Sequence, residues 1–147
     1  MKKTLNKKGF TLIEVLLVIV IIAILAAIVI VAINPGRQIS QANNTQRRAD
    51  VQTILNAVHQ FSIDNRGTLP SDIDGTATNV SVAGADICGD LVPTYIAAMP
   101  FDPNAAGAGY TDCTTYDTGY TINTDADGRV VVAAPSAELS ETISVTR

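Results

Sequence analysis

A chain of 147 residues with a formal net charge of -4 has room for one modest domain, and its acidic balance argues against attraction to anionic surfaces. The six basic residues past Gly36 (Arg37, Arg47, Arg48, Arg66, Arg129 and Arg147) form no stripe interleaved with aromatics, so no nucleic-acid partner is expected. The hydrophobic share of 47% overstates the core, because much of it lies in one N-terminal run.

That run comes first in the chain. Lys2, Lys3, Lys7 and Lys8 precede it, which predicts a cytoplasmic N-terminus and an outward-facing C-terminal domain. Val15 to Ile33 is wholly apolar, 19 residues. At 1.5 Å per residue this gives about 28 Å of helix, enough to span a hydrocarbon core of roughly 30 Å. A helix is predicted from Phe10 to Ile33. Glu14 stands near its start, although a carboxylate in hydrocarbon costs about 2.5–3.5 kcal/mol. "INPG" then interrupts the pattern at Pro35, leaving kink or full break open.

Helical periodicity resumes downstream. Val51, Ile54, Leu55, Val58 and Phe61 recur at three- and four-residue intervals as one apolar stripe. Gln46, Arg47, Asp50, Gln52, Asn56 and Gln60 are assigned to the opposite, polar face. "DNRG" followed by Pro70 stops the helix, and Thr68 to Leu91 reads as loop. "YTINTDADGRVVVAA" predicts a β-hairpin closed by Asp-Gly, with Val130–Val132 returning. "LSETISV" alternates Leu139, Glu141, Ile143 and Val145 and predicts a third strand.

Cys88 and Cys113 both fall in the outward domain. With no CxxC and His59 as the sole histidine, zinc is unsupported. An intramolecular disulfide is the simplest outcome outside the cytoplasm, against free or intermolecularly paired thiols.

"KKGFTLIEVLLVIVIIAILAAI" resembles the leader and helix start of type IV pilins and of the pseudopilins of type II secretion. The residues that carry the resemblance are a short basic leader ending in Gly9, then Phe10, Thr11-Leu12-Ile13, and Glu14 four residues after Phe10. "FSIDNRGTLP" and "YIAAMPFDPN" add shorter likenesses, while the tryptophan usual after Asp-Pro in major pseudopilins is missing. The resemblance implies an α+β type IV pilin fold, a long N-terminal α-helix packed on a small antiparallel β-sheet. It divides the chain into a leader (1–9), a transmembrane and filament-core helix (10–36), and an extracytoplasmic domain that includes the second half of the long helix (37–147). It also implies that prepilin peptidase, a membrane-embedded aspartyl enzyme, cuts between Gly9 and Phe10 and methylates the new Phe10 amine. The implied partners are copies of the chain in a helical filament, that peptidase, an inner-membrane assembly platform, and the membrane before assembly. The implied location is the cytoplasmic membrane as a single-pass precursor, then an extracellular pilus or a periplasm-spanning filament.

In this frame Glu14 is an assembly residue, because the Phe10 ammonium of its own or an adjacent copy relieves its burial. The competing reading is a carboxylate that stays hydrated at the bilayer edge. For the N-terminus as a whole the competitors are an ordinary signal peptide, whose apolar core runs about 7–15 residues, and a plain anchor. For function they are a major pseudopilin of a type II secretion system and a membrane-anchored extracytoplasmic binding domain. No enzymatic motif is present: no GxSxG, no phosphate loop, no metal-ligand cluster. No cofactor is expected, with calcium at Asp125 and Asp127, helped by Asp112 and Asp117, as the weak exception; the bland reading of DADG is a hairpin turn. His59 and the four tyrosines read as packing residues. "NNT" at Asn43 and "NVS" at Asn79 match a glycosylation triplet that arises often by chance.

Overall fold

The structure is a computed structural model that describes residues 9–147, and the predicted leader lysines lie outside the described residues. The chain divides into two compact units between Gln38 and Ile39.

The first unit is dominated by helix α1, Leu12–Ile33, none of whose side chains is buried. It begins at Leu12 rather than Phe10 because Thr11 caps it. It ends at Asn34, whose left-handed backbone (φ 48°, ψ 76°) closes the last turn. Helix α2, Pro35–Asp64, starts at the next residue. The Asn34 Oδ1 accepts the Arg37 amide at 3.3 Å, and Pro35 sits where a missing N–H costs nothing. The interruption is therefore a full break, made by Asn34 as much as by the proline.

In the second unit α2 packs the predicted stripe (Val51, Ile54, Leu55 and Val58) into the core, with Phe61 at its margin. The sheet it covers is antiparallel and five-stranded: β1 Thr78–Ser81, β2 Gly109–Asp112, β3 Thr115–Thr124, β4 Val130–Ala134 and β5 Ile143–Thr146. The order is β1-β3-β4-β5, with β2 also pairing with β3. Along β3 the side chains of Tyr116, Thr118, Tyr120 and Ile122 alternate inward, as a pleated strand requires. The predicted hairpin is present, with Ile122 opposite Val132 and Gly128 at φ 78° in the turn.

Three expectations are corrected. The segment 68–91 is not all loop: it holds β1 and a short helix α3, Cys88–Leu91. The third strand starts at Ile143, not Leu139, because Leu139 and Ser140 adopt φ near 60° and turn the chain back. Arg47 does not lie on a solvated face but is fully buried, with 0% exposure.

The burial of Arg47 is made tolerable by its partners. Nε donates to Asp102 Oδ2 at 2.7 Å and one terminal nitrogen to Asp102 Oδ1 at 2.9 Å, a bidentate pair. The other terminal nitrogen donates to Glu138 Oε2 at 2.8 Å and Asn44 Oδ1 at 2.9 Å. Asp102 Oδ1 also accepts the Asn104 and Ala105 amides at 2.9 Å, so the "DPNA" turn folds around its own carboxylate. Glu138 is tied to α2 three further ways: Ser40 and Asn43 donate to its carboxylate, and the Asn44 amide brackets its backbone N–H and C=O. Gly119 makes room for this arrangement. It sits at φ 70°, and a Cβ there would lie 3.0 Å from Ala105 Cβ and 3.2 Å from Asp102 Cβ.

Electrostatics follow the geometry. Burial opposes ionisation of Asp102, but Arg47 and the turn amides outweigh it and hold the carboxyl below its ordinary value. Arg47 and Asn43 hold Glu138 low in the same sense. Burial raises Asp50, which accepts the Tyr120 hydroxyl at 2.8 Å.

Replacing Asp102 with Ala strands a buried guanidinium and should destabilise the C-terminal domain by about 3–5 kcal/mol in urea unfolding. Arg48→Ala, which breaks an exposed pair with Glu141, should cost no more than about 1 kcal/mol. Lowered carboxyls contribute stability that is complete above their unfolded values and lost as pH falls through the folded ones. Asp102 and Glu138 should thus make the domain less stable as pH drops below the ordinary values of 3.8 and 4.5. Asp50 acts in the opposite sense, and unfolding midpoints at pH 3 and pH 6, with and without Asp102→Asn, measure the balance.

Candidate processing and assembly site

Of the residues implicated by the sequence at the N-terminus, Glu14 lies in the first turn of α1 and Gly9 and Phe10 lie just ahead of it. Gly9 and Phe10 precede α1 in non-helical backbone, and Phe10 is 83% exposed. Thr11 is the cap: its Oγ1 accepts the Glu14 amide at 3.3 Å. Glu14 returns the contact, its Oε2 accepting the Thr11 amide at 3.5 Å. This reciprocal pair is a capping box, which satisfies two backbone donors that a helix start leaves open. Sequence reasoning placed Thr11 in the motif and missed its role as a cap, although Thr-x-x-Glu ahead of an apolar run is its legible signature.

Glu14 is the single acidic group in the first turn of α1 and faces the positive end of the helix dipole. Beyond it the helix is long and apolar enough to cross a membrane, with every side chain exposed. Phe10, Glu14, Val15, Val18 and Ile19 line a shallow groove along this exposed face, open to whatever surrounds the helix.

The other candidates lie in the second unit. Cys88 and Cys113 form a disulfide, their Cα atoms 5.3 Å apart, which ties α3 to the β2–β3 turn. The Tyr116 hydroxyl braces the same corner, donating to Asp86 at 2.8 Å and accepting the Cys88 amide at 3.3 Å. Asp125 and Asp127 shape the hairpin turn and hold Arg129: Asp125 Oδ2 accepts its Nε at 2.8 Å and Asp127 Oδ2 a terminal nitrogen at 3.1 Å. A cation at this turn has to displace that guanidinium. Asp112 is occupied by Thr114, and Asp117 by Asn79 and Gly119. Among the described residues no three His, Cys, Asp or Glu side chains converge as a metal site.

Two further sequence features are absorbed by packing. The Asn43 amide donates to Glu138 at 2.9 Å and the Asn79 amide to Asp117 at 2.8 Å, so both glycosylation triplets have their acceptor nitrogens engaged. His59 lies half-buried on α2, its Nε2 without a hydrogen-bond partner among the described residues.

The disulfide closes a separation of 25 residues, for which chain entropy gives about 3–4 kcal/mol. The Cys88→Ala/Cys113→Ala double variant is expected to lose stability of that order in equilibrium unfolding, with α1 unaffected.

Comparison with known proteins agrees with the N-terminal geometry. Residues 4–30 match the family described as the prokaryotic N-terminal methylation motif. No curated protein and no solved structure matches the chain. The chain carries the N-terminal methylation motif of type IV pilin-like and pseudopilin precursors.

Proposed function

We propose that this chain is a structural subunit, cut between Gly9 and Phe10 by prepilin peptidase, methylated on the Phe10 amine, and polymerised into a type IV pilus-like filament. The observation that carries this reading is α1 itself, a helix of 22 residues that buries no side chain and keeps one carboxylate at its start. A helix apolar on every face needs lipid or other helices around it. A membrane supplies the first environment, and a bundle of identical helices in a filament core supplies the second.

Glu14 fits the same scheme. The cut leaves an ammonium at Phe10, four residues before Glu14, and each copy then carries one cation and one anion close together in the chain. Pairing between neighbouring copies offsets the cost of a carboxylate in an apolar core and sets the axial register of the stack. The C-terminal domain, closed by its disulfide and buried ion pair, forms the outer surface of that filament. A major pseudopilin of a secretion system would use the same parts in a periplasm-spanning filament.

The intact mass and N-terminal sequence of the protein from cells test the processing step. Phe10 as first residue with one added methyl is the expected result; a start at Met1, or beyond Ala27, overturns the reading. Assembly is tested separately with Glu14→Leu. The variant should insert and accumulate in the membrane yet lose at least tenfold of the sheared filament fraction. A plain anchor would tolerate the change.

A further inference from the structure

We propose that Thr11 is a positioning residue for the cut between Gly9 and Phe10. Its hydroxyl starts α1 two residues after the scissile bond and so keeps that peptide out of the helix. The inference rests on the processing reading above and goes beyond it by giving Thr11 a role distinct from that of Glu14.

The argument follows the backbone donors. In an uninterrupted helix the Glu14 amide would bond to the Phe10 carbonyl and the Ile13 amide to the Gly9 carbonyl, four residues back in each case. The Gly9 carbonyl is the one a peptidase must attack. In the structure the Glu14 amide goes instead to Thr11 Oγ1 at 3.3 Å. The first rung of the ladder is Val15 N–H to Thr11 C=O, also 3.3 Å. Thr11 itself is extended, at φ -81° and ψ 153°. Gly9 and Phe10 stay outside the helix, and a Cβ built on Gly9 meets nothing within 4 Å.

A cap matters more here than on a soluble protein. Near hydrocarbon little water competes for open amides, so a helix gains by recruiting the next carbonyl along. Thr11 supplies an acceptor that removes this pull. Extended backbone is what binding by strand addition requires, because its amides and carbonyls are free to pair with the host. Hydrolysis then adds one water across the Gly9–Phe10 peptide, leaving a carboxyl on Gly9 and an amine on Phe10, with no further reactant.

The test is a time course of cleavage by prepilin peptidase, using the full chain in phospholipid vesicles with intact mass as the readout. Thr11→Val keeps the shape and removes the acceptor, and should be cut roughly fivefold more slowly, the size of one lost cap. Thr11→Ser and Thr11→Asn keep an acceptor and should be cut at the wild-type rate. Cleavage of Thr11→Val at the wild-type rate overturns the proposal. So does an Asn variant as slow as Val, which would mean that the peptidase reads the threonine's shape and not its hydrogen bond. A wild-type chain that is left whole, or cut elsewhere, overturns the processing reading and this proposal with it.

Discussion

Arg47 places a full positive charge inside the C-terminal domain, and the arrangement of that domain depends on how the charge is met. Desolvating a guanidinium costs several kcal/mol unless its donors are filled. Here they are filled by side chains from three stretches of sequence: Asn44 on the same helix, Asp102 and Glu138. Each partner is itself fixed, Asp102 by the turn that wraps it and Glu138 by Ser40, Asn43 and Asn44. Apolar contacts along Val51, Ile54 and Val58 would accept a small slide of α2 over the sheet. A bidentate ion pair accepts none, because a shift of one residue leaves a buried charge without its acceptors. Gly119 completes the constraint, since only a residue lacking Cβ lets the 102–105 turn approach β3 this closely.

The N-terminal unit faces the opposite problem. Among its described residues nothing is buried, so the stability of α1 comes from backbone hydrogen bonding and from whatever surrounds it. In that setting the ends of the helix matter most, because the middle satisfies its own amides. Thr11 and Glu14 close one end with side chains folded back on the main chain, and Asn34 closes the other with its backbone. Asn34 serves twice, ending α1 with its left-handed backbone and receiving the Arg37 amide at the start of α2.

How much of this was legible follows from which signals are local. The stripe on α2 and the Asp-Gly hairpin are periodic patterns read within a dozen residues, and both are present. Arg47 was misplaced because charge was given more weight than period. It stands four residues before Val51 and seven before Ile54, on the same face as the stripe. Its acceptors, Asp102 and Glu138, are 55 and 91 residues away, beyond any local pattern. The third strand was drawn too long because Leu139 and Glu141 alternate correctly, whereas the left-handed backbone at Leu139 and Ser140 leaves no mark in composition. β1 was missed for a related reason. Four residues reading Thr-Asn-Val-Ser look like loop, and they become a strand only by pairing with β3. At the N-terminus the chemistry was more legible than the geometry: Glu14 stands out as a lone acid, while Thr11 reads as part of the motif and not as the partner in its capping box.

Two charged residues in apolar settings thus meet different ends within one chain. Arg47 finds every acceptor it needs inside its own fold, which makes it part of a finished domain. Among the described residues Glu14 finds a single donor, the Thr11 amide at 3.5 Å, and its side chain stays exposed to the surroundings of α1. A carboxylate so weakly met is no strain at a hydrated bilayer surface, but in a packed bundle of apolar helices it requires a cation. Among the described residues no cation lies near it, and the proposed cut at Gly9 would create one at Phe10. If the chain is processed and assembled as proposed, the cut would do more than remove a leader: it would supply that charge as the helix passes from lipid to its neighbours. On the proposed scheme the carboxylate, which has no cation beside it among the described residues, would make assembly conditional on cleavage.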